Sequence, residues 1–151
     1  MYPLCVRYLG REDAKDMLQD GFLTVFDKIG TYKGEGSFEG WMRRIFVNAC
    51  LMQIRKADVL RFTEDIVESP ELGGMVEYGA LEQLGSREIL DMVAQLPAGL
   101  RSAFNLFVLE GYTHAEVAAA LGMTEQSSRS YVSRARSLLQ KKIKTLYNGK
   151  K

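Results

Sequence analysis

Residues 113–136 hold the densest grouping of side chains able to do chemistry, and that chemistry is recognition rather than bond making. Thr113-His114-Ala115-Glu116 sets a hydroxyl three residues before a carboxylate, the spacing of a helix-starting capping box. Thr124 offers a second cap. Behind it Gln126, Ser127, Arg129, Ser130, Ser133, Arg134 and Arg136 give a helix a polar, cationic face. Short hydroxyls and guanidinium groups on the first turns of a helix reach base edges and phosphates in a DNA major groove, and Lys141, Lys142 and Lys144 continue the positive charge. The bland alternative is a helical hairpin that binds nothing and leaves its arginines solvated.

These side chains need elements that hold them. Ala115 to Leu121 reads as a short helix opened by the capping box and ended at Gly122, and Thr124 caps a long helix reaching about Tyr147; together they make a helix-turn-helix. Ala118 and Ala119 are small enough to let the two helices approach. Val117, Leu121, Met123, Val132 and Ser128 are the expected inner packing. Upstream, Ser86 can cap a helix ended by Leu96-Pro97. A further helix over Ala98 to Glu110 is expected to bury Leu100, Phe104, Phe107 and Val108 before Gly111 closes it.

The beginning of the chain is also helical. Ala14, Met17, Leu18, Phe22, Val25, Phe26 and Ile29 recur at spacings of three and four, which predicts one apolar helix face over Asp13 to Ile29. Gly34 and Gly36 mark a loop, and Ser37 can cap a helix from Phe38 to about Ala57. Its expected buried residues are Phe38, Trp41, Ile45, Ala49 or Cys50, Met52 and Ile54. Residues 58–84 lack this period and hold Pro70, Gly73, Gly74 and Gly79, as a linker does; fully extended, such a segment reaches roughly 90 Å.

Charge follows the same division. Residues 1–57 carry nine basic and seven acidic side chains (+2), residues 58–84 one and seven (−6), and residues 85–151 ten and five (+5). The net charge of +1 therefore hides a basic C-terminal segment suited to a polyanion and an acidic middle. Cys5 and Cys50 sit in apolar surroundings and read as reduced, buried thiols. With a single histidine they form no standard zinc site. No apolar run is long enough to span a membrane. No nucleophile–base pair or phosphate-cradling glycine loop stands out, so an enzyme is not expected, and His114 reads as a neighbour of the cap rather than a catalytic base. The fold class expected is all-α: two small helical domains, 1–57 and 85–151, joined by an acidic flexible linker, 58–84, with the C-terminal domain a helix-turn-helix.

Two separated blocks resemble a known family. One is Leu96-Pro97, Arg101, Phe104, Leu109 to Ala118, Leu121-Gly122 and Ser133 to Arg136; the other is Asp13 to Asp20, then Phe22, Phe38, Trp41, Arg44-Ile45 and Asn48. In this order, across an acidic linker, they are similar to the extracytoplasmic-function sigma factors of bacterial RNA polymerase. The resemblance implies that the C-terminal domain reads the −35 promoter element through Ser127, Arg129, Ser130, Ser133 and Arg134. It implies that the N-terminal domain opens the −10 element, with Tyr32, Lys33, Ser37 and Asn48 around a flipped base. Asp16, Gln19 and Asp20 would grip the polymerase β′ clamp. Trp41 reads as core rather than as a stacking platform. The implied partners are core RNA polymerase (β′ clamp and β flap), promoter DNA and an anti-sigma factor. No cofactor, no metal and no membrane insertion are implied, and the implied place of action is the cytoplasm.

Two departures stand out. Family members carry a further stretch of helix before the equivalent of Tyr2-Pro3, so the −10 domain is expected to have a shortened first helix and a small core. Ser128 stands where an aliphatic residue is usual, which is expected to loosen packing. Residues alone leave two other readings open: a stand-alone helix-turn-helix regulator binding operators as a dimer, and an adaptor that imitates a sigma factor.

Overall fold

The computed structural model describes residues 1–56 and 85–149; the expected linker over 58–84 lies outside them. The chain divides into two compact units, Met1–Leu60 and Arg61–Lys151. All regular elements among the described residues are helical.

The first unit packs three helices: α1 (Tyr2–Leu9), α2 (Arg11–Lys28) and α3 (Phe38–Lys56), with a 3-10 turn at Ile29–Thr31 after α2. Pro3 sits in the first turn of α1, where a missing N–H costs nothing. Leu4, Cys5, Val6 and Tyr8 of α1 are buried, so this two-turn helix is a full member of the core. Ser37 caps α3 as expected, its Oγ accepting from the Gly40 N–H at 3.2 Å.

The core holds the expected Ala14, Met17, Val25, Cys50 and Ile54, but its faces are otherwise turned from those the sequence suggests. On α3 the buried residues are Phe46, Val47, Cys50, Leu51 and Ile54; Phe38 and Met52 are exposed, and Trp41 and Ile45 only part-buried. On α2 the core takes Ala14, Met17 and Val25 but leaves Phe26 65% and Ile29 50% exposed. The reason is Gly21. A Cβ there would overlap the ring of Phe46, so the bare helix backbone receives that ring. The close approach of α2 and α3 is centred on Gly21, and Phe22, Phe26 and Ile29 lie to one side of it. Phe22 remains in edge-on contact with Phe46, ring centroids 5.1 Å apart.

The second unit holds α4 (Ser86–Ala94), α5 (Ala98–Phe104), a π-helical turn (Asn105–Leu109), α6 (His114–Leu121) and α7 (Glu125–Gly149). At the start of α4 the Gly85 N–H donates to the Glu88 carboxylate at 3.1 Å, so Gly85 rather than Ser86 is the cap position. Arg101 ties α5 back to α4: its Nη1 donates to the Ala94 carbonyl at 2.6 Å, at the C-terminal end of α4. Burial lowers the pKa of that guanidinium, which nonetheless stays charged.

Phe107 and Val108 were both expected inside. The wider turn of the π segment carries Leu106 to full burial, leaves Phe107 partly open and exposes Val108 and Leu109. Phe104 is likewise only part-buried. Tyr112 closes the segment, its N–H donating to the Leu106 carbonyl at 2.9 Å.

Candidate nucleic-acid interface

The helix-turn-helix is fixed at every joint the sequence marked. Thr113 Oγ1 accepts from the Glu116 N–H at 3.1 Å, and the Glu116 carboxylate accepts from the Thr113 N–H at 2.9 Å, a complete capping box. Gly122 ends α6 at φ +67°, a left-handed conformation that costs a side-chain-bearing residue about 1–2 kcal/mol. Thr124 caps α7, accepting from the Ser127 N–H at 3.1 Å. Val117, Ala118 and Leu121 of α6 and Tyr131, Val132 and Ala135 of α7 are buried, and α7 packs against both α5 and α6. Ala119, expected at this contact, is exposed.

Ser128 lies in the inner packing, fully buried, and its Oγ is 2.9 Å from His114 Nδ1, a bonded contact where loosened packing is the other expectation. A buried hydroxyl with a partner costs little and fixes geometry. His114 in turn stacks on Phe107, centroids 3.9 Å apart and planes inclined by 11°.

The free face of α7 carries the residues expected to meet DNA, divided between two hollows. Ser127, Ser130 and Arg134 border one, beside Thr124, Gln126 and Tyr131. Arg129 and Ser133 border the other, beside Phe107, His114 and Arg136. Ser127 is part of the cap as well: the Thr124 hydroxyl donates to its Oγ at 2.9 Å. Arg129 Nη2 lies 3.4 Å from Glu125 Oε2, both side chains more than half exposed. Such a solvated pair is worth little, so the guanidinium is readily given up to a stronger anion. Arg136, expected on the cationic face, lies here, whereas Phe107 is expected in the core and instead borders this surface. The signal available for Phe107 was its place seven residues before His114 of the capping box.

In the first unit the loop after the 3-10 turn is built on an aromatic trio. Tyr32 meets Phe38 edge-on at 5.2 Å and Trp41 at 5.3 Å, and Phe38 stacks on Trp41 at 5.6 Å. The Tyr32 hydroxyl donates to the Gly36 carbonyl at 2.9 Å, which closes the loop. Lys33 and Ser37 are exposed on that loop. Asn48 is exposed on α3 seven residues beyond Trp41, on the same side of the helix and about 10 Å along it. Trp41 thus belongs to the loop cluster rather than to the core.

On α2, Asp16, Gln19 and Asp20 are all exposed, and Asp27 extends their stripe. Leu23, 62% exposed, and Phe26 run beside it. The outer side of α2 is therefore an apolar strip edged with carboxylates.

Residues 86–139 match the family model for sigma-70, region 4, and residues 1–59 that for sigma-70 region 2. The ECF RNA polymerase sigma factor SigM of Mycobacterium tuberculosis is 31% identical over 140 residues, covering 91% of this chain and 68% of the relative. The chain belongs to the ECF RNA polymerase sigma factors. The ECF RNA polymerase sigma-E factor of Haemophilus influenzae is 29% identical over 153 residues, 95% of this chain and 81% of that protein. The fold is also that of the sigma factor RpoE of Bartonella quintana, solved in complex with the anti-sigma factor NepR. That match has a TM-score of 0.56 and 23% identity, covering 93% of this chain and 87% of the other. As an ECF sigma factor the chain directs RNA polymerase to promoters. The aromatic loop and acidic α2 fall in its region 2, and the helix-turn-helix falls in its region 4. No described helix is long and apolar enough to cross a membrane.

Proposed function

We propose that region 4 reads the −35 element through Ser127, Arg129, Ser130, Ser133 and Arg134, while region 2 melts the −10 element through Tyr32, Lys33, Ser37 and Asn48. The observation that carries this reading is the split of α7. Its buried side (Ser128, Tyr131, Val132, Ala135) packs into region 4, and its opposite side offers short hydroxyls, an amide and guanidinium groups, with Glu125 the acidic residue of its first turn. A helix so arranged inserts its first two turns into a major groove. Arg134, bidentate to a guanine, would supply roughly 1–3 kcal/mol of discrimination. In region 2 an extruded base would lie against the Tyr32 ring. Stacking of roughly 1–3 kcal/mol offsets much of the few kcal/mol that flipping costs.

Asp16, Gln19 and Asp20 hold the β′ clamp of core polymerase in this reading. The adjoining Leu23 and Phe26 supply apolar area to an interface whose carboxylates would set the register. The β flap is the second polymerase contact. An anti-sigma factor is an expected partner, by analogy with the RpoE–NepR complex. The protein acts in the cytoplasm by binding, without catalysis of its own and without a cofactor.

Transcription in vitro with purified core polymerase and a promoter library tests the proposal. Transcripts should start at a defined promoter class only when both proteins are present. Arg134→Ala should lower output about tenfold at promoters bearing its guanine and much less elsewhere. Selection unchanged by this substitution would remove Arg134 from the readout. A sequence-specific footprint by the protein without polymerase, as distinct from general duplex binding at low salt, would favour an operator-binding regulator.

A further inference from the structure

The second hollow of region 4 has features that base reading does not use. It encloses about 310 Å³ between the π-helical turn, the start of α6 and the middle of α7. Phe107 forms one wall, with the His114 ring flat against it. Arg136 approaches the other side of the aromatic pair, its guanidinium carbon 6.0 Å from the Phe107 centroid. Arg129 and Ser133 complete the rim. The imidazole is oriented twice over, by the stack and by the bond from Nδ1 to the sealed Ser128 hydroxyl. This leaves Nε2 without a partner among the described residues. Two guanidinium groups, a hydroxyl and one positioned ring nitrogen around a small hollow suit a tetrahedral anion.

We propose that this hollow is a subsite for one backbone phosphate of promoter DNA, bound by Arg129, Arg136 and His114 Nε2, and that His114 takes up a solvent proton when the phosphate enters. The subsite rests on the reading of α7 as a major-groove helix. A phosphodiester on the strand flanking that groove would then meet the start of α6 beside the middle of α7.

Charge makes the proton uptake follow. From α7, Arg129, Arg136 and Glu125 face the imidazole. From the π turn it is faced by Phe107, which is uncharged. On α6, Glu116 is occupied by the capping box. Desolvation first, then Arg129 and, more weakly, Arg136 outweigh the opposing pull of Glu125 and hold the His114 pKa below its ordinary value of 6.5. The free protein therefore keeps the ring neutral near pH 7. A phosphate placed among these groups cancels the repulsion of the arginines and favours imidazolium. By linkage, DNA affinity must rise as pH falls, by at most tenfold per pH unit for one proton.

His114 is the single histidine, so its Cε1–H resonance reports its protonation without ambiguity. The full chain is titrated with a generic 20-base-pair duplex at low salt, because phosphate contacts are independent of sequence. The readouts are the His114 proton signal from pH 5 to 8, the backbone amides of α7, and the duplex affinity at each pH. We expect the His114 titration to move upward on DNA addition and affinity to rise about five- to tenfold between pH 8 and pH 5.5. Arg136→Gln, at an exposed position, should halve the displacement or more while the fold is retained. His114→Gln should flatten the pH dependence. Amide shifts along α7 with an unmoved His114 titration would overturn the subsite and leave the groove reading standing. No amide shifts at all would overturn both. An equal response to inorganic phosphate alone would mark a general anion site and overturn the assignment to the DNA backbone.

Discussion

Replacing Gly21 by Ala should destabilise region 2, against the ordinary rule for helix interiors. In an open helix the change gains about 1 kcal/mol, because alanine loses less backbone freedom on folding. Here the new methyl would sit inside the ring of Phe46, which is fully buried and braced edge-on by Phe22 at 5.1 Å. The ring cannot withdraw without moving α3, and overpacking of this kind costs about 1–3 kcal/mol. The net effect should be a loss of about 0–2 kcal/mol, and the sign should depend on Phe46. In a Phe46→Leu background the obstruction is gone, so the same Gly21→Ala change should stabilise by up to ~1 kcal/mol. Urea unfolding followed by Trp41 fluorescence measures this, because Trp41 is the single tryptophan and lies in region 2. The coupling between the two positions should fall at about 1–3 kcal/mol, as for residues in direct contact. A Gly21→Ala protein more stable than the parent with Phe46 present, or an equal loss in both backgrounds, would refute the account of how α2 and α3 meet.

Three further outcomes are expected. The pKa of folded His114 is depressed, so the unfolded chain binds more protons just below pH 6.5; the urea midpoint of region 4 should fall as pH drops from 7 through that value and level off below the folded pKa, and His114→Gln should remove this component. Thr113→Ala breaks the capping box and should cost region 4 about 0.5–2 kcal/mol by thermal unfolding, where an unchanged midpoint would show the cap to be redundant. Tyr32→Phe deletes the bond to the Gly36 carbonyl but keeps the ring trio; it should cost at most about 1 kcal/mol of stability, and promoter opening, followed by permanganate reactivity of melted thymines, should persist if the ring rather than the hydroxyl meets the base.

The helix-turn-helix was legible because each of its joints is made by residues adjacent in sequence. The Thr113–Glu116 box, the Gly122 turn and the Thr124 cap are local interactions, and their residue types announce them. The buried registers were less legible, because they depend on contacts between helices. Apolar spacing gave α2 a wide apolar arc but could not say which edge faced α3; the answer lay in Gly21, whose missing side chain leaves no mark in a hydrophobic pattern. The π turn escaped for a similar reason. Nothing in Asn105-Leu106-Phe107-Val108-Leu109 signals an extra residue in the turn, yet that residue sends Leu106 inward and leaves Phe107 open for His114.

The same reasoning separates the residues of the interface by what constrains them. Ser127, Ser130 and Arg134 could be placed from the helix period alone, because a long helix held along one side presents its other side in a known order. His114 could not, since its role comes from Phe107 below it and Ser128 behind it, one contributed by the π turn and the other by α7. The serine at position 128 then takes on a meaning. An aliphatic side chain there would seal the helix pair but leave the imidazole unanchored, whereas serine keeps the seal and supplies the hydrogen bond that aims the ring. The two residues should therefore behave as a unit. Ser128→Val should cost region 4 roughly 1–3 kcal/mol, because it enlarges a fully buried side chain and leaves His114 Nδ1 without its partner. It should also free the His114 ring, broaden its signal and weaken its response to DNA. A Ser128→Val protein with the pH dependence of the parent would mean that the Phe107 stack alone sets the ring.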